Sequence, residues 1–94
     1  VSPRGSLLIC EDRTNVETEA QSLFGLTRKG QLFRFCQINP QVSGHHAGFR
    51  LSRTLLTSEW AGATFSKDGQ WLFCNIYRPG LSIAITGPWQ QDLI

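Results

Sequence analysis

Apolar residues arrive along this chain in short runs separated by turn residues, and no stretch repeats at the three-and-four spacing of an amphipathic helix. Leu7-Leu8-Ile9-Cys10 is one such run, entered through Pro3-Arg4-Gly5. Residues 23–27 and 31–36 flank Arg28-Lys29-Gly30, which predicts a hairpin with Gly at the positive-φ position. Residues 61–65 and 70–76 flank Ser66-Lys67-Asp68-Gly69, and Asp-Gly is a strong hairpin signal. Tyr77-Arg78-Pro79-Gly80 predicts a further turn, residues 81–86 a further strand, and Gly87-Pro88 then breaks the pattern before Trp89. Both alternating faces of residues 71–76 are largely apolar, which predicts a strand covered on both sides.

The two halves resemble each other. Residues 1–10 align without a gap with residues 65–74, and Gly25-Leu26-Thr27 resembles Ala84-Ile85-Thr86. A unit of about 60 residues emerges, built from short antiparallel strands around a Ser-x-x-Gly turn, the pattern of β-propeller blades. The expectation is an all-β chain of antiparallel, blade-type sheets. It comprises about two blades, the first incomplete, and is completed by oligomerisation. A small sandwich or barrel stays open as an alternative. Residues 1–36 form the first unit, 37–58 a loop and 59–94 the second unit. The loop contains Pro40, Gly44, His45-His46 and Gly48, with a short helix near residues 51–56 as a lesser reading.

Length and charge narrow the partners. Ninety-four residues allow one small domain. Nine Lys and Arg against seven Asp and Glu give a net charge of +2, with the cations scattered, so no nucleic-acid footprint is expected. No apolar run approaches the roughly 20 residues of a membrane helix. The chain opens on Val1 and contains no Met, which reads as a piece of a longer polypeptide.

Chemistry is concentrated in few places. Cys10, Cys36 and Cys74 contain no CxxC spacing and each sits in or beside an apolar run, so they read as buried free thiols, with Cys10 the best alternative metal ligand. Glu11-Asp12 closes a buried strand and offers hard oxygen ligands to Ca²⁺ or Fe³⁺. Arg4 and Arg13 flank that end and are candidates to meet an anionic substrate. Glu17 and Glu19 read as a solvated loop, Asp68-Gly69 as turn chemistry, and Trp60, Trp71 and Trp89 as core aromatics. His45-His46 is a poor metal pair, because adjacent residues of an extended segment point in opposite directions.

The string Ser58-Glu59-Trp60-Ala61-Gly62-Ala63-Thr64-Phe65-Ser66-Lys67-Asp68-Gly69-Gln70-Trp71-Leu72-Phe73-Cys74-Asn75-Ile76, continued by Arg78-Pro79-Gly80-Leu81-Ser82-Ile83-Ala84-Ile85-Thr86-Gly87-Pro88-Trp89, resembles the C-terminal blade of the PhoX-type alkaline phosphatase family. Ser2-Pro3-Arg4-Gly5-Ser6-Leu7-Leu8-Ile9-Cys10-Glu11-Asp12 and Gly25-Leu26-Thr27-Arg28-Lys29-Gly30 resemble the part before it. That resemblance implies a β-propeller phosphomonoesterase, periplasmic or extracellular, with calcium and iron at its axis and an arginine holding the phosphate. It makes Glu11, beside Asp12, the best metal candidate. The sequence departs from the family in starting just after the position of an Asp-Asn pair that precedes Ser2-Pro3-Arg4-Gly5, and in lacking the earlier blades. The expectation is therefore a C-terminal portion that is inactive alone and holds no cofactor alone. Its partners would be copies of itself or the missing blades, with a phosphate monoester bound only in the complete protein. A non-catalytic, self-associating β module is the alternative.

Overall fold

The computed structural model describes residues 1–13, 19–46, 48–51, 55–90 and 93–94, with the backbone alone of His46 and Phe49. Glu17, the 52–54 part of the lesser helix reading, and Asp92 lie outside the described residues. The described chain is all-β. Its strands are β1 (Leu7–Cys10), β2 (Ser22–Leu26), β3 (Leu32–Gln37), β4 (Gly44–His46), β5 (Phe49–Leu51), β6 (Trp60–Phe65), β7 (Leu72–Ile76) and β8 (Leu81–Ile85). They form three small antiparallel sheets, ordered β1-β2-β3, β4-β5 and β6-β7-β8. None of them closes into a ring.

The turns follow from their residues. Gly30 (φ 79°) ends the β2–β3 turn, where its amide donates to the Thr27 carbonyl at 3.0 Å. The internal repeat is visible in the backbone: the Gly5 amide donates to the Ser2 carbonyl and the Gly69 amide to the Ser66 carbonyl, each at 2.9 Å. Asp68 caps its own turn, accepting from the Ser66 hydroxyl at 2.6 Å and the Gln70 amide at 3.0 Å. Residues 37–58 carry the β4–β5 hairpin, which their pattern does not announce, and Leu51 belongs to β5 rather than to a helix.

The two three-stranded sheets share one apolar core. Leu8, Cys10, Leu23 and Cys36 from the first meet Trp60, Leu72, Cys74 and Ile76 from the second, with Ile38, Leu51 and Leu55 closing one end. β1 lies beside β6. A methyl added at Gly25 would overlap the ring of Phe33, its partner across the β2–β3 pair, so that ring sits over the strand only because glycine is there. The Trp60 indole N–H donates to the Gln21 carbonyl at 3.1 Å, tying the second sheet to the entry of β2.

One expectation about faces is overturned. Along β7, Leu72, Cys74 and Ile76 are buried, while Phe73 (46% exposed) and the preceding Trp71 (43%) lie on the open face. The strand is central in its sheet but only one side has a sheet packed on it, so Trp71 is not a core aromatic. The first sheet is likewise apolar and open on its outer side, where Leu7, Ile9 and Leu32 are exposed. Trp60 is buried, and Trp89 packs between Phe35 and Phe65 at centroid distances of 6.3 and 5.5 Å.

Candidate functional site at the acidic strand end

β1 stops at Cys10, and the next three residues turn their charges toward the start of β2. The Glu11 amide donates to the Ser22 carbonyl at 3.1 Å, continuing the β1–β2 ladder by one rung. The Glu11 carboxylate then accepts from the Ser22 amide at 2.7 Å through Oε2 and pairs with Arg13 Nε at 2.6 Å through Oε1. Both of its oxygens thus have a donor. Arg13 is fixed in turn, since its carbonyl accepts from Gln21 Nε2 at 3.1 Å. Glu19, expected in a solvated loop, is exposed and bridges Arg34 at 2.8 Å.

Asp12 finds a partner that the local pattern did not reveal. It shares a hydrogen bond with Glu59, and that bond, with some desolvation and the neighbouring Asp12 charge, holds the Glu59 carboxyl above its ordinary value, while Arg78 opposes the shift. Glu59 precedes β6 and Asp12 follows β1, so their meeting depends on the two strands lying side by side. Tyr77 and Arg78 join through their backbone amides, which donate to the Glu59 carbonyl at 3.0 Å and to the Ser58 hydroxyl at 2.9 Å.

The other candidates are elsewhere. Arg4 is engaged within the fold: its Nε donates to the Ile94 carbonyl and its NH2 to the Gly69 carbonyl at 3.0 Å. Its guanidinium carbon lies 5.2 Å from the Phe65 ring centroid and 5.1 Å from that of Trp89. The structure therefore brings Glu11 and Arg13 together, and gives Arg4 a separate set of partners. The three cysteines are free. Burial pushes the Cys36 and Cys74 thiols up to about 11, Cys10 adding to both shifts and Cys36 to that of Cys74, which keeps both neutral and unreactive.

Comparison with known proteins decides the family. A family model described as Alkaline phosphatase PhoX matches residues 1–80. The chain belongs to the PhoX alkaline phosphatase family. No curated protein and no solved structure matches it. The PhoX match takes in Arg4, the acidic end, Glu59 and Arg78 as well as the β4–β5 hairpin.

Calcium asks for six to eight oxygen ligands. The buried Gln21 Oε1 and Ser22 Oγ lack partners among the described residues and lie beside this end. Glu11, however, already has a guanidinium on one oxygen and an amide on the other. Among the described residues no three His, Cys, Asp or Glu side chains gather as a metal requires. As arranged, the acidic end does not fit the calcium and iron that the family resemblance implies.

Proposed function

We propose that this chain is the C-terminal portion of a PhoX-like, metal-dependent phosphomonoesterase of propeller architecture, periplasmic or extracellular, and that it hydrolyses no phosphate monoester alone. The observation that supports the family part of the reading is the PhoX match over residues 1–80. Two further features support it. Among the described residues the two larger sheets stop at three strands with no further strand paired to their edges, and their outer faces expose Leu7, Ile9, Leu32, Trp71 and Phe73, which further blades would cover. Residues 1–36 and 59–94 are then two blade-like units. In a complete protein, bound metals would stabilise charge on the transferring phosphoryl group.

The test is hydrolysis of p-nitrophenyl phosphate by the purified chain, with Ca²⁺ and Fe³⁺ supplied together. The expected result is no release of p-nitrophenol above buffer. Metal-dependent release that disappears in Glu11→Ala would overturn the proposal and assign Glu11, with Asp12, to a working site.

The same exposed apolar faces favour a second reading, a non-catalytic β module that associates with copies of itself. Light scattering tests this second reading: a stable monomer removes it, and a discrete oligomer keeps it standing beside the first.

A further inference from the structure

The turn that leads into β1 and the turn that leads into β7 repeat each other, but they differ in length. The Ser2 amide donates to the Ser6 carbonyl at 2.7 Å, whereas the Ser66 amide donates to the Trp71 carbonyl at 2.8 Å, one residue further on. In space Leu7 is therefore the counterpart of Leu72, although the gapless sequence alignment sets it against Trp71. The strand pairs agree with this offset. Leu7 stands directly opposite Leu26 and Leu72 directly opposite Ile85, in the two segments whose sequences resemble each other. Two residues on, Ile9 opposite Phe24 matches Cys74 opposite Ile83.

The offset decides how the sheets pack. Leu72 and Cys74 are fully buried, and Ile83 and Ile85 pack against the shared core, so this face of the second sheet lies on the first. The matching face of the first sheet carries Leu7, Ile9, Phe24 and Leu26, because directly opposed residues share a face. It is the outer one, where Leu7 and Ile9 are exposed together with Leu32. The opposite faces exchange roles in the same way: Leu8 and Leu23 face the core, while their counterparts Phe73 and Ser82 are exposed. The sheets thus stack head to tail, with two different faces meeting at the joint.

Building on the self-associating reading, we infer that copies of the chain continue this stack, the face bearing Trp71 and Phe73 of one copy lying on the face bearing Leu7, Ile9 and Leu32 of the next. The first sheet's outer face is apolar at each of the four positions whose counterparts are covered in the second sheet. The face offered to it carries two exposed aromatic side chains. The polar pair on that face already shares a hydrogen bond, Ser82 Oγ donating to Asn75 Oδ1 at 2.7 Å, which lowers the cost of covering it. Contiguous apolar surface of this kind marks a protein contact. Because the two faces differ, each contact leaves one of each free, and association continues to a ring or an open filament.

Sedimentation velocity of the whole chain tests this at about 100 μM, enough to populate a contact of micromolar affinity. The variants are Ile9→Glu and Phe73→Glu, each compared with wild type by circular dichroism. Wild type should sediment above the mass of a dimer. Each variant has lost one face and should run as a monomer, yet an equimolar mixture should give a dimer and nothing larger, since each supplies the face that the other lacks. Leu32→Glu should replace Ile9→Glu in the mixture with the same result, which covers a failure of Ile9→Glu to fold. A monomeric wild type would overturn both the inference and the self-associating reading. Three other results would overturn the head-to-tail contact alone: a wild type that stops at the dimer, a dimer formed by either variant by itself, or an equimolar mixture that stays monomeric while wild type associates.

Discussion

Replacing Arg4 by alanine should destabilise the fold by about 3 kcal/mol, an estimate built from four contacts. Hydrogen bonds from a charged donor contribute about 1.5–3 kcal/mol each where shielded. Arg4 makes two, to the Gly69 and Ile94 carbonyls, from a half-buried position that trims each toward the low end. A cation over an aromatic face adds about 0.5–1 kcal/mol, and Arg4 lies against both Phe65 and Trp89. The four contacts share one side chain and are not additive, which brings the sum down to about 3 kcal/mol. For a domain of this size, total stability is on the order of 5–14 kcal/mol, so the loss is a large fraction. Urea denaturation followed by tryptophan fluorescence measures it, with Trp89 as a local reporter. Arg4→Lys keeps the charge and loses the fork, and should lose about half as much. A cost below about 0.5 kcal/mol in Arg4→Ala would refute the reasoning, as would full stability in Arg4→Lys. Either result would free Arg4 for the anionic substrate that its place in the sequence suggests.

Three further outcomes follow from the core and the turns. Leu72 is fully buried between the sheets, so Leu72→Ala should cost about 2–5 kcal/mol in the same urea assay, whereas Phe73→Ala on the open face should cost much less. Cys36 and Cys74 are held near 11 by burial, against an ordinary value of 9.0. The folded state therefore keeps protons that the unfolded state releases, and stability falls as pH rises between 9 and 11, by up to about 2 kcal/mol per thiol. Thermal melts at pH 8 and pH 10.5 check this, and unchanged melting in that window would contradict it. Gly25→Ala forces the Phe33 ring off β2 and should lower the melting temperature measurably by circular dichroism.

Local chemistry made much of the fold readable. Gly30 and Gly69 mark their turns because few other residues accept their positive φ, and the strands on either side sit within two residues of where the pattern puts them. The Ser2–Gly5 and Ser66–Gly69 turns share one hydrogen bond, so the repeat has a physical basis. What stayed hidden depends on partners far along the chain. Nothing near Asp12 signals Glu59, which is brought in by β1 lying beside β6. Nothing near Arg4 signals Trp89 or Ile94. The face of β7 that carries Trp71 and Phe73 is as apolar as its buried face, so pattern alone predicts cover on both sides, and only the packing shows that one side is open. The β4–β5 hairpin was masked by its short, three-residue strands and its polar, glycine-containing sequence. Glu11 and Asp12 stand at a strand end as the pattern predicts, but the Glu11 oxygens meet Arg13 and the Ser22 amide, contacts that no motif encodes.

The central claim is that a PhoX-family chain of this extent does not by itself assemble the metal site implied for its family. Isothermal titration of Ca²⁺ into the purified chain tests it most directly. The account predicts no saturable binding tighter than about 1 mM. A stoichiometric calcium site of micromolar affinity, lost in Glu11→Ala, would contradict it.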